Sequence, residues 1–197
     1  MKSLCVYCGS SMGSNPSYAH AARELAKEMV NDNIALVYGG GNVGLMGVIA
    51  DEVMRLGGEV TGIIPKALMD KEVGHTDLTR LHIVRDMHER KAMMAELSEG
   101  FIAMPGGIGT LEELFEIFTW AQLGLHEKPI GLLNADGFYD GLIAFLKHVV
   151  AQGFLKPSQA SLLMYETHPR ALLQTFKSFQ PQPHDKLLDP ASAKKII

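Results

Sequence analysis

Short apolar runs alternate with amphipathic stretches along the chain. The apolar runs fall at 3–8 (SLCVYC), 34–38 (IALVY), 59–64 (EVTGII), 81–85 (LHIVR), 101–104 (FIAM), 129–134 (PIGLLN) and 162–165 (LLMY). They lack the apolar/polar alternation of half-exposed strands, which predicts strands covered on both faces. Between them, apolar residues recur at helical spacing over 16–31, 43–57, 87–99, 110–124, 138–152 and 168–178. Strand–helix alternation of this kind predicts an α/β fold with a doubly wound, mostly parallel sheet and helices on both of its faces. No repeat or internal linker interrupts the pattern, so 1–180 reads as one domain. Residues 181–197 carry Pro and no clear period, and predict a loose tail or a strap across a partner.

Composition narrows the class. The chain has 197 residues, 47% apolar and 20% charged, values of an ordinary globular domain and not of a disordered chain. A net charge of −4 argues against nucleic acid as a partner, because polyanion affinity comes largely from phosphate neutralisation by Lys and Arg. No apolar run approaches the roughly 18 residues that span a bilayer. The start, MKSLCVYCGSS, reads as a first strand and not as a secretory signal. Two cysteines provide no disulfide framework, and a cytoplasmic location is expected. Cys5 and Cys8 form a C-x-x-C inside a strand pattern, where residues three apart point to opposite faces. They are expected to behave as buried small hydrophobes. The histidines show no metal-ligand spacing, and no metal is expected.

Gly makes up 20 of the residues, about 10% against an average near 7%, and the excess is clustered. In a doubly wound sheet, ligands bind outside the carboxyl ends of the strands. Three such ends are rich in Gly or Ser: Gly9-Ser10-Ser11, Gly39-Gly40-Gly41-Asn42-Val43-Gly44 and Pro105-Gly106-Gly107-Ile108-Gly109-Thr110. Three on one rim suggest a polyoxygenated, anionic ligand, since Gly lets the backbone approach closely and helix N-termini direct N–H groups at phosphate. Gly39-x-Gly41-x-x-Gly44 has the form of the dinucleotide fingerprint. The next strand, however, ends Ile63-Ile64-Pro65-Lys66 without the acid that would hold a ribose hydroxyl. A mononucleotide or another phosphate-bearing ligand, a nicotinamide dinucleotide and a purely structural turn all remain open on this motif.

Two residues stand out against their surroundings. Thr110-x-x-Glu113 has the spacing of a capping box, which alone would explain both, but not the three glycines and the proline ahead of it. Glu113 lies at the edge of an apolar face, with Ile117 and Trp120 on the following turns, away from Glu112 and Glu116. That makes it a candidate for proton or cation chemistry. On the helix at 87–99, Arg90 falls inside the apolar stripe of Met87, Met94 and Leu97. Either it snorkels to water or it meets an anion, or Glu113, at the strand rim; Lys91 beside it could assist at phosphate. Helix 110–124 is apolar around most of its circumference (Leu111, Leu114, Phe115, Ile117, Phe118, Trp120, Ala121), as in helices buried on several sides. A homodimer through this helix is therefore expected.

Pro105-Gly106-Gly107-x-Gly109-Thr110-x-x-Glu113, together with Met87-His88-x-Arg90-Lys91, resembles the LONELY GUY family of cytokinin-activating phosphoribohydrolases. The resemblance runs from Cys5-Val6-Tyr7-Cys8-Gly9-Ser10 through Tyr38-Gly39-Gly40-Gly41 to about Phe154. Members have often been labelled lysine decarboxylases, but no lysine context for pyridoxal phosphate is apparent here. The resemblance implies a Rossmann-like, commonly dimeric fold that hydrolyses N6-substituted adenosine 5′-monophosphates, and AMP itself, to free base and ribose 5-phosphate without a cofactor. By position it implies that Arg90 and Glu113 are the catalytic pair. It further implies that Glu72, Lys91, Gly107, Ile108, Gly109, Thr110, Leu111, Glu112 and Glu113 contact the nucleotide. The other two glycine-rich strand ends add Gly9, Ser10, Gly40 and Gly41 as candidate contacts. The competing expectations are a non-catalytic nucleotide or cofactor carrier and a dinucleotide-dependent oxidoreductase.

Overall fold

Residues 1–69 and 74–181 are described by a computed structural model. Seven strands form one sheet: β1 (Ser3–Tyr7), β2 (Ala35–Tyr38), β3 (Val60–Pro65), β4 (Arg80–Val84), β5 (Phe101–Ala103), β6 (Ile130–Leu133) and β7 (Leu163–Glu166). Their order is β4-β3-β2-β1-β5-β6-β7, and every neighbouring pair is parallel. The helices are α1 (Ser17–Asn31), α2 (Gly44–Arg55), α3 (Lys66–Met69), α4 (Met87–Glu96), α5 (Ile108–Leu123), α6 (Asp140–Ala151), α7 (Pro157–Ala160) and α8 (Pro169–Ser178). The short α3 and α7 and a 3₁₀ turn at Ala135–Gly137 are too brief to leave a periodic signal.

From β1 the chain builds outward through β2, β3 and β4. It then returns through α4 to place β5 against the other side of β1, with Cys5 beside Phe101 and Tyr7 beside Ala103. The switch point of the sheet therefore lies between β1 and β5, the place where such folds open a crevice. One face is covered by α1, α2 and α8 through Leu25, Ile49 and Leu172. The other is covered by α4, α5 and α6 through Met94, Leu114 and Ile143. Cys5 enters the second core and Cys8 the first. Both thiols are free and buried, and burial pushes both well above their ordinary range, which leaves no reactive thiolate.

Two expectations need correction. Not every strand is covered on both faces: β4 and β7 are the sheet edges, and Ile83 and Tyr165 are 56% and 47% exposed. The capping box is also absent. Helix α5 begins at Ile108 with Gly107 as its N-cap, so Thr110 is already inside the helix and buried, and no side chain caps the end.

Candidate active site

Helices α4 and α5 lie on the same face of the sheet and bring Arg90 to Glu113, Nη2 to Oε1 at 3.4 Å. Both side chains are nearly buried, 9% and 12% exposed. Arg90 is thus covered while its stripe neighbours Met87 and Leu97 are about 40% exposed (39% and 40%). That order removes the snorkelling alternative: the guanidinium turns inward. Among the described residues its Nη1 meets only the Met87 sulfur, at 3.7 Å, and its buried Nε has no partner. A guanidinium carries five donors, so one contact with Glu113 leaves capacity for a ligand oxygen.

Backbone without side chains makes room for this pair. A Cβ on Gly39, just past β2, would lie 2.1 Å from Arg90 Nη2, so the guanidinium rests on the face of that glycine. A Cβ on Gly106 would lie 2.1 Å from Thr110 Oγ1, so the Thr110 side chain fills the space beside the loop ahead of α5. Gly44 serves a different purpose. A Cβ there would strike the Ser10 and Ser11 backbone at 2.3–2.4 Å, and the next amide, Leu45 N–H, donates to Gly9 C=O at 3.0 Å. The start of α2 is closed by the protein's own loop, which leaves the Gly39–Gly44 motif no pyrophosphate seat of the dinucleotide kind.

The two helix starts near the pair differ. At α4, Asp86 accepts from Glu89 N–H at 2.9 Å, and the Glu89 carboxylate accepts from Arg85 N–H at 2.8 Å. At α5 no side chain caps the end and no acid stands in the first turn. Its first amides lack intrahelical acceptors, and Cβ atoms at Gly107 and Gly109 would meet nothing within 4 Å. An open, uncapped helix end of this kind is chemically suited to an anion. Beside it, at the switch point, a cavity of about 220 Å³ is lined by Gly9, Ser10, Tyr18, Pro105, Gly107 and Phe138, among others.

Burial dominates the electrostatics of Glu113. Desolvation raises its pKa to about 7, outweighing the Arg90 charge that pulls it down; Glu112 adds to the rise, Lys91 opposes it and Glu116 adds again. A carboxyl poised near neutrality is what proton-transfer chemistry requires.

The remaining site residues divide. Lys91 does not point free toward a phosphate: its Nζ lies 2.6 Å from Glu112 and 2.9 Å from Glu116, clamping α4 to α5. Glu112 is half exposed within that clamp. Ile108 is 82% exposed and Leu111 partly buried. Gly40 and Gly41 are buried beneath the chain after β3, where Gly41 bridges Gly74 and His75 N–H donates to Gly40 C=O at 3.1 Å. Glu72 lies outside the described residues. Sequence reasoning missed Tyr18 and Phe138, which meet edge-to-face at 5.5 Å. One aromatic in each of two distant helical regions leaves no spacing signal. It also missed the clamp, although Glu112 and Glu116 share a helix face.

Residues 46–176 match the family described as "possible lysine decarboxylase". The chain is 49% identical to a cytokinin riboside 5′-monophosphate phosphoribohydrolase of Arabidopsis thaliana over 91% of this chain and 79% of that one. It is 46% identical to another from the same plant, over 97% and 89%. Among solved structures, a molybdenum cofactor binding protein from the phototrophic bacterium Rippkaea orientalis superposes with a TM-score of 0.68 at 21% identity, covering 90% of this chain and 97% of that one. A molybdenum cofactor carrier protein from Chlamydomonas reinhardtii gives 0.67 at 18%, covering 89% and 94%; at such identities the likeness concerns the fold. Nearly half of its residues are shared with these phosphoribohydrolases along almost its whole length, and the chain belongs to the LONELY GUY family.

Proposed function

We propose that this chain hydrolyses the N-glycosidic bond of N6-substituted adenosine 5′-monophosphates, and of AMP itself, releasing the base and ribose 5-phosphate. The observation that carries the reading is the buried Arg90–Glu113 contact at the sheet rim, with its carboxyl poised at about 7. Cleaving the ribosyl C–N bond develops positive charge on the sugar, as in other glycoside hydrolyses. The Glu113 carboxylate stabilises that charge and takes a proton from the attacking water, whose oxygen bonds to C1′ as the bond to N9 breaks. The base leaves with the bond electrons and takes up a proton from solvent, to which Glu113 releases the one it took from water, so that the carboxylate is regenerated. Arg90 aligns Glu113, and its guanidinium, whose Nε has no partner among the described residues, has donors left for the nucleotide. The uncapped start of α5 receives the 5′-phosphate, which serves as a handle. The names of the Arabidopsis relatives support the substrate class.

The test is incubation with AMP and with N6-isopentenyl-AMP, followed by chromatography for free base. Release of base supports the reading; tight binding of intact nucleotide would favour a carrier instead.

Because Glu113 acts as the carboxylate, kcat should rise with pH through about 7 and then level off. Saturating substrate is needed, since the phosphate itself titrates near pH 6. Lys91 lowers the Glu113 pKa while Glu112 and Glu116 raise it. Lys91→Met should therefore move this limb to higher pH; a limb that stays put or moves down contradicts the assignment.

The protein is expected to form a homodimer through the outer face of α5, where Leu111, Phe115 and Trp120 are only partly buried. Light scattering at micromolar concentration should give twice the chain mass; a monomer contradicts this. Among the described residues, no helix is long and apolar enough to cross a membrane.

A further inference from the structure

We propose that His75 is a positioning residue of the nucleotide site, held by Asp51 so that it pins the glycine turn on which Arg90 rests. His75 stands just after β3–α3 and is 5% exposed, an unusual depth for an imidazole on a connecting loop. Three contacts explain the burial. Its Nε2 lies 2.8 Å from Asp51 Oδ1 on α2. Its N–H donates to Gly40 C=O at 3.1 Å. Its neighbour Gly74 forms an isolated antiparallel bridge with Gly41. The turn joining β2 to α2 is thereby gripped at both ends: Gly40 and Gly41 by the backbone of 74–75, and the second turn of α2 by the imidazole. Gly40 is already forced to φ +76°, with Ile63 and Ile64 3.2–3.4 Å from where its Cβ would stand. The turn is therefore confined on one side by β3 and by the residues at 74–75. On the adjoining residue, Gly39, it presents the bare face that the Arg90 guanidinium occupies. Movement of this turn displaces the support of Arg90 and loosens its 3.4 Å contact with Glu113. The inference rests on the reading of Arg90 and Glu113 as the reacting pair.

Two variants keep the test clear of simple unfolding. The Asp51 side chain is 64% exposed, so Asp51→Ala removes the imidazole's anchor without opening a core cavity. His75 Nδ1 has no partner among the described residues, so His75→Gln can keep an Nε2 donor for Asp51 and lose no bond elsewhere. Asp51→Ala and His75→Leu should each lower kcat by about tenfold or more, as misplacement of a catalytic group does, with a smaller change in KM. His75→Gln should restore most of the rate. Hydrogen exchange should quicken in peptides covering 39–47 and 74–81 in the two damaging variants and in no distant peptide. Wild-type kcat in Asp51→Ala and His75→Leu, or equal losses in His75→Gln and His75→Leu, overturns the proposal. If the wild-type protein releases no base, the functional reading fails, and the exchange data alone decide whether His75 pins the turn.

Discussion

Glu113→Gln should lower base release from AMP by about 10²–10⁴-fold, the range typical of a lost general base, and leave nucleotide affinity largely intact. Gln has the same shape and can still meet Arg90, but it cannot take a proton from water or offset charge on the ribose. The variant should also fold. Glu113 does not cap α5, whose N-cap is Gly107, so no helix end depends on its carboxylate. The pH dependence of stability gives a second readout. The folded pKa of about 7 lies above the ordinary value of 4.5, so the folded state holds this proton more tightly than the unfolded one. The group's contribution to stability is full below about 4.5 and is lost as pH rises through about 7. Glutamine cannot titrate, so the thermal midpoint of Glu113→Gln should fall less between pH 5 and pH 8 than that of the wild type. Turnover equal to wild type would remove Glu113 from the chemistry. A loss of stability with normal turnover per folded molecule would make it merely structural.

Gly39→Ala should be nearly as damaging to activity and almost silent in stability. The new methyl would stand 2.1 Å from Arg90 Nη2, while its other close neighbour, Met46 Sδ, is 3.5 Å away in ordinary contact. Gly39 is not among the glycines at positive φ, so alanine strains nothing in the backbone and even reduces the entropy of the unfolded chain. What must move is the far end of Arg90, away from Glu113. We expect about a 10²-fold loss of kcat, the scale of a misplacement near 1 Å, with an unchanged or slightly raised thermal midpoint. Full activity in this variant would mean that the guanidinium does not act from the place it occupies.

The alternation of apolar runs and helical periods carried the sheet and the principal helices, because both layers of this fold bury whole strands and whole helix faces. Arg90 and Glu113 stand out in the sequence for a related reason: Arg90 is a charge inside an apolar stripe, and Glu113 is one at the edge of an apolar face. Edge exposure of β4 and β7 was not legible, since strand order is a property of the crossover and not of any local run. The start of α5 was misplaced because Thr110-x-x-Glu113 has the spacing of a capping box, whereas backbone geometry at Gly107 begins the helix earlier. Gly39 and Gly44 look alike in sequence and differ in use. One accommodates a guanidinium and the other a backbone loop, and only tertiary packing separates the two. His75 and Lys91 are ordinary polar residues in a sequence; their partners arrive from other elements, Asp51 on α2 and Glu112 and Glu116 on α5.

The most direct measurement is product analysis after reaction with AMP in oxygen-labelled water. Hydrolysis by the Arg90–Glu113 pair predicts free adenine and ribose 5-phosphate bearing one labelled oxygen on its anomeric carbon, formed by the wild type and almost absent from Glu113→Gln. Recovery of unlabelled, intact nucleotide from the wild-type reaction, or equal labelled product from both proteins, contradicts it.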